Sequence, residues 1–376
     1  VWSKIRLMAL HFDFSKEAEA SYREAKRSTL LELLDVVDTL PELLNDACVF
    51  QEVMQGVELA LLRPTPSEVP TAMTGDDEEL PYSDPEWSHL SLVYDILMHI
   101  VLSVRIESAI RKHYISGTFI THLIALFDSP DPQEREYLKM VTHRIYGKLT
   151  NRRAAIRRAI NQTFYTFLYE TRHHRGISVL LEILASIING FTLPIRPEHR
   201  QSLEKSLIPL HKMAQYEEYS VQLSYCMALY VEKDRSLSAP IVRGLLRYWP
   251  TGNSTKEILF LNELEDLMKQ LQPSDLAPYR EALFKRLAKC LRSCHLQVAE
   301  RVLFLFSANT FDGLVTRDPG NLQVLLPLVY PPLRDCEARA TNENLRQIAT
   351  HVIGVFSDAD MALTQRLAEK YDSECS

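Results

Sequence analysis

Glycine is scarce, with 11 among 376 residues, about half the usual ~7%. Tight hairpins and phosphate-cradling loops both need backbone at positive φ, which glycine supplies. Strand-rich folds and nucleotide-binding loops are therefore disfavoured. Long apolar runs are also lacking: none approaches the ~20 residues of a membrane-crossing helix. The opening Val1-Trp-Ser-Lys-Ile-Arg-Leu has no apolar signal-peptide core. Six dispersed cysteines, at 48, 226, 290, 294, 336 and 375, make no disulfide framework and read as reduced thiols of an intracellular protein. Gly-x-Ser-x-Gly, His-Glu-x-x-His and P-loop patterns are missing, and no spacing pairs two carboxylates for acid–base work. The nearest approach to a metal cluster, Cys290-Leu-Arg-Ser-Cys294-His295, lacks a separated second pair and reads as core thiols. These absences point to a non-enzymatic chain without cofactor or metal. A net charge of −7 exerts no global pull toward nucleic acid.

What is present is helical periodicity. Segments of roughly 10–17 residues with an apolar stripe recur across 14–63, from Trp87, over 119–127, and at 198–214, 217–232, 239–248, 275–292, 295–307, 321–329 and 343–369. Asp131-Pro132-Gln-Glu134 and Ser254-Thr-Lys-Glu257 read as capping boxes opening two of them. Most of the 19 prolines fall between such segments, where proline punctuates. Pairs recur about every 40 residues, the period of HEAT-type repeats. The pattern predicts an all-α, HEAT-like solenoid of about eight or nine degenerate repeats, a single domain over 1–376. One proline-rich, acidic loop is inserted at about 63–86, carrying Asp76, Asp77, Glu78 and Glu79.

Two neighbouring helices stand out. Lys139, His143, Tyr146 and Arg153 share one face if the helix runs unbroken. An amine, an imidazole, a phenol and a guanidinium make a poor core but suit an extended acidic ligand. Lys139, Arg144, Lys148, Arg152, Arg153, Arg157 and Arg158 follow one another without an acidic residue between them, a local inversion of sign. A solvated face, a nucleic-acid backbone site and an acidic-peptide site are all open to such a patch. In the next segment, Ile177 to Ile188 spread apolar residues over an arc of about 200°, against the roughly 100° that one packed side needs. The surplus edge, Val179-Ile183-Ile187, must meet a second neighbour or a ligand.

Several runs resemble a known family: Leu126-Phe-Asp-Ser-Pro-Asp-Pro-Gln-Glu-Arg-Glu, His143-Arg-Ile-Tyr-Gly-Lys, Leu181-Glu-Ile-Leu-Ala-Ser-Ile-Ile-Asn-Gly-Phe191, Tyr248-Trp-Pro, Phe260-Leu-Asn-Glu-Leu-Glu265 and Gln297-Val-Ala-Glu-Arg301. In this order they look like the B-prime regulatory subunits of protein phosphatase 2A. The resemblance is strong from about Trp87 to Arg301 and departs after about Leu303. It implies a non-catalytic helical-repeat subunit of the cytoplasm, and also of the nucleus, that joins the phosphatase catalytic and scaffold subunits. It further implies recruitment of substrates through short Leu-x-x-Ile-x-Glu motifs in a concave groove. The matching positions are Lys139, His143, Arg144, Tyr146, Arg153, Glu182, Ile183, Ile187 and His199. Neither nucleic acid nor membrane is an implied partner, and the acidic loop at Asp76 to Glu79 would face the phosphatase subunit.

Overall fold

A computed structural model describes residues 2–12, 14, 17–63, 82–339 and 343–375. Among them every regular element is helical, with twenty α-helices joined by short 3-10 and π turns. Contacts divide the chain into two compact units, Val1–Leu184 and Ala185–Ser376.

The first unit holds α1 (Trp2–Met8), α2 (Ala20–Thr39), α3 (Ala47–Leu61), α4 (Trp87–Leu102), α5 (Ser108–Tyr114), α6 (Gly117–Ala125), α7 (Pro132–Lys148) and α8 (Arg153–Thr166). In it α2 packs on α4, α4 on α7, and α6 on α8. Each helix finds its neighbour in the following pair, which is how helical repeats bury a face that no single pair can cover. Local chemistry sets the starts. Asp46 accepts from the Cys48 and Val49 amides at 2.8 and 3.2 Å, and Ser116 accepts from Phe119 at 3.1 Å. Asp131 accepts from the Gln133 amide at 2.8 Å, with Pro132 in the first turn.

The expected capping box there is only half made. Glu134 does not reach back to its cap; it is fully buried and accepts both guanidinium nitrogens of Arg63, at 2.8 and 3.1 Å, and the Tyr94 hydroxyl at 2.8 Å. The largely buried Arg63 guanidinium takes the carboxylate, and the buried Asp131 amide donates to Ser129 Oγ at 3.2 Å instead.

The chain crosses from the first unit to the second within α9 (Ile177–Asn189). The second unit continues with α10 (Pro197–Ser202), α11 (Ile208–Leu210), α12 (Ser220–Lys233), α13 (Ser238–Arg247), α14 (Ser254–Met268), α15 (Arg280–Leu291), α16 (Leu296–Ser307), α17 (Asn309–Val315), α18 (Pro319–Arg339), α19 (Glu343–Ala359) and α20 (Met361–Cys375). Here α12, α14, α16 and α19 pack successively, as do α13, α15, α18 and α20. The first row starts at 220, 254, 296 and 343, steps that straddle the about 40-residue period of HEAT pairs. Each unit is thus a HEAT-like stack.

Two boundaries differ from the sequence-based expectation. The cap of α14 is Asn253, one residue early, accepting from Lys256 at 3.0 Å. Glu257 is buried and takes the Trp249 indole and the Gly252 amide instead. The 321–329 segment extends to Arg339 straight through Pro327, Pro331 and Pro332. Leu325, Leu326, Val329 and Leu333 are wholly buried on this helix. That burial, at roughly 1.5–3 kcal/mol per side chain, outweighs the hydrogen bonds that proline removes.

Candidate functional site

The unbroken helix assumed for 139–153 is interrupted. α7 ends at Lys148, Thr150–Arg152 wind as a 3-10 turn, and α8 begins at Arg153. Thr150 and Asn151 are residue types whose side chains compete with helical backbone. Leu149, 2% exposed, is buried as the chain turns. The break nevertheless keeps Tyr146 and Arg153 together. Arg153 Nε donates to the Tyr146 carbonyl at 3.0 Å, and its guanidinium lies 5.2 Å from the Tyr146 ring centre, a cation–π contact. Arg157, one turn on, donates to the Tyr146 hydroxyl at 3.3 Å. His143 and Arg144 are exposed on α7, while Tyr146 and Arg153 are half-buried.

Lys139 is held rather than presented. Its Nζ pairs with Glu136 at 2.7 Å and with Glu182 at 2.9 Å. Partial burial acts to lower its pKa, but the hydrogen bonds and charge of the two carboxylates outweigh that, and the net shift is upward. Residue-type patterns did not single out Glu136 and gave Arg157 only as a member of the basic run. The i,i+3 spacing of Glu136 to Lys139 and the one-turn step from Arg153 to Arg157 were the available signals.

Much of the basic run serves the fold. Arg152 donates to the Ile115 carbonyl at 2.6 Å and also to the Lys112 carbonyl, closing the end of α5 as a cation at a helix C-terminus does. Arg158 donates to the Ala154 carbonyl at 3.4 Å. An uninterrupted phosphate-tracking stripe is not what these side chains form.

The apolar edge of α9 is covered. Val179, Ile183 and Ile187 are 8%, 2% and 4% exposed, so the edge is not the open apolar surface that the wide arc allows. Glu182, between them in sequence, keeps its side chain 39% exposed. In the second unit, His199 is buried, stacks on Phe191 with ring centres 3.9 Å apart and planes 9° apart, and its carbonyl accepts from the Tyr230 hydroxyl at 3.2 Å.

Other readings shift with the structure. Cys290 is a buried thiol as expected, but Cys294 is exposed. Beyond α8 the backbone turns left-handed at Arg172 (φ 56°), and His174 Nδ1 accepts from the Gly176 amide at 3.1 Å. Asp76, Asp77, Glu78 and Glu79 lie outside the described residues. On either side of that stretch, Arg63 and Asp84 meet at 2.6 Å, and the Asp84 amide donates to Asp131 at 2.8 Å. Among the described residues, no group of three or more His, Cys, Asp or Glu could hold a metal ion, and no helix is long and apolar enough to cross a membrane.

The full span 1–376 matches the protein phosphatase 2A regulatory B subunit (B56) family. The chain belongs to the B56 family. The chain is 41% identical over 374 residues to the B' theta regulatory subunit of Arabidopsis thaliana, covering 98% of this chain and 75% of that protein. It is also 38% identical over 370 residues to the regulatory subunit psrA of Dictyostelium discoideum (98% and 59%). To the rabbit (Oryctolagus cuniculus) 56 kDa delta isoform it is 38% identical over 375 residues (99% and 63%). The B56 match therefore does not stop near Leu303 but runs through the last repeats. As a B56 chain, this protein is regulatory rather than catalytic.

Proposed function

We propose that this chain joins the protein phosphatase 2A catalytic and scaffold subunits and recruits substrates by binding short Leu-x-x-Ile-x-Glu peptides. The observation that carries the peptide reading is the α7–α8 junction, where Arg153 and Arg157 are locked on Tyr146 beside exposed His143 and Arg144. A guanidinium already stacked and hydrogen-bonded loses little freedom when it meets a carboxylate. We carry the reading on the first unit's residues, Lys139, His143, Arg144, Tyr146, Arg153, Glu182 and Ile183. Ile187 and His199 belong to the second unit.

The slight exposure of Ile183 lowers what an aliphatic anchor can contribute below the roughly 1.5–3 kcal/mol of full burial. Affinity then rests on charge-assisted bonds of roughly 1.5–3 kcal/mol each, set against an ordering cost of about 2–5 kcal/mol. Binding is therefore weak, reversible and salt-sensitive, which suits substrates that must leave. Titration calorimetry with a Leu-x-x-Ile-x-Glu peptide tests this. Arg153→Ala should weaken binding roughly ten- to a hundred-fold, and His143→Ala less, with unchanged helical circular dichroism. Equal affinity for wild type and both variants overturns the peptide reading. Failure to co-purify with the catalytic and scaffold subunits overturns the holoenzyme reading.

A further inference from the structure

The turn at 292–295, between α15 and α16, lines a cleft of about 510 Å³ together with part of α18. Leu296, Pro332 and Leu345 contribute apolar wall, and two free thiols line the same space: exposed Cys294 and half-buried Cys336. The Cys336 thiol donates to the Leu291 carbonyl at 3.5 Å. Cys294 follows Leu291 by three residues of wound chain, with the Ser293 amide donating to the Cys290 carbonyl at 3.0 Å. Three residues reach on the order of 10 Å even when extended, and wound ones reach less. Both sulfurs therefore line one cleft, beside the Leu291 carbonyl and the solvent-facing turn that follows it.

We propose that Cys294 and Cys336 form a peroxide-responsive dithiol that closes to a disulfide. The Cys294 thiolate attacks one oxygen of hydrogen peroxide; the O–O bond breaks, leaving a sulfenic acid and, after proton transfer, water. The Cys336 sulfur then attacks the Cys294 sulfur, the S–O bond breaks, and a second water leaves. Two thiols are oxidised by two electrons in all and one peroxide is reduced. Burial, reinforced by the charge of Asp335, raises the Cys336 pKa, so the second step quickens as pH rises. Cys226 and Cys290 stay out of the exchange. Both are buried, and burial with the charge of Glu257 pushes the Cys290 thiol up to about 12. The cross-link ties the 292–295 turn to α18 and narrows the cleft.

The test uses the full chain, treated with hydrogen peroxide at pH 7 and pH 8.5, alkylated, digested without reductant and mapped by mass spectrometry. The expected product is one linked peptide pair joining residues 294 and 336, 2 Da lighter than the two free peptides together. It should form faster at pH 8.5 and be lost in both Cys294→Ser and Cys336→Ser. Three results overturn the proposal: Cys294 carried on to sulfinic or sulfonic acid while Cys336 remains alkylatable, a link from either residue to any other cysteine, or an intermolecular link through Cys294. Because the wild-type map decides the matter, it stands even if a variant misfolds.

Discussion

Removing Arg63 should cost far more than its position at a helix end suggests. Arg63 binds Glu134 through both terminal nitrogens and Asp84 through one, with only 12% of its side chain exposed. Burial acts to lower its pKa, but hydrogen bonds and charge from Glu134, then Asp84, hold it above its ordinary value. In Arg63→Met, the wholly buried Glu134 keeps, among the described residues, only the Tyr94 hydroxyl as a side-chain partner. Stranding one member of a buried pair costs about 3–5 kcal/mol. Adding Glu134→Gln removes the stranded charge but preserves an acceptor for Tyr94, so the double variant should lose only about 1–2 kcal/mol, nearer the loss of ordinary hydrogen bonds. Hydrogen exchange reads this locally. Amides of α4 and α7 should lose protection by about a hundred- to a few thousand-fold in the single variant and by about tenfold in the double, while α14 in the second unit serves as internal reference. Equal losses in the single and double variants would show that side-chain packing, not an uncompensated carboxylate, sets the cost.

Glycine supplies a second contrast. A Cβ at Gly176 would sit 2.2 Å from the Phe127 backbone oxygen, so Gly176→Ala should destabilise by about 1–3 kcal/mol. A Cβ at Gly147, in the last turn of α7, meets nothing within 4 Å, so Gly147→Ala should gain roughly 0.5–1 kcal/mol; urea midpoints that move together refute the distinction. Acid should loosen the first unit. Burial, then the Lys26 charge, lowers the pKa of His89, and burial lowers that of His174. Each depressed base favours the folded state above its unfolded value of about 6.5. That contribution fades as pH falls from about 6.5 through the lower folded values. Melting at pH 7.5 and 5.5 should show a smaller acid drop for His89→Gln than for wild type; an identical drop would place the sensitivity elsewhere.

Helix existence was legible because an apolar stripe at a 3.6 period is a property of neighbours in sequence. The pair period, the Asp131 cap and the lack of strand chemistry were readable for the same reason. What could not be read depends on partners far along the chain. Glu134 has the right type and spacing for a capping box, yet its partner Arg63 is 71 residues away. Lys26 and Lys256 look like surface residues but are 2% and 6% exposed, their ammonium groups donating to the Leu10 and Met213 carbonyls. His211 reads as one of twelve histidines. In the fold it is wholly buried and bridges the Ile208 carbonyl and Glu263, which also accepts from Tyr216 at 2.8 Å.

The cationic stretch shows how the two kinds of information combine. As a string, 139–158 is a run of like charge, and one unbroken helix would spread its members around the axis, Lys139, Arg153 and Arg157 on one side and Arg144, Lys148 and Arg152 on the other. The break after Lys148 divides them by role. Arg152 and Arg158 are turned onto carbonyls, Lys139 is tied to two carboxylates, and Arg153 and Arg157 converge on Tyr146. A polyanion gains affinity from many equivalent phosphate contacts, each releasing counterions, and this arrangement offers few equivalent ones. A short peptide needs the opposite, a small number of oriented donors at one place. The same seven cations that leave the ligand class open in the sequence therefore support the proposed peptide reading once the turn at 149–152 is in place.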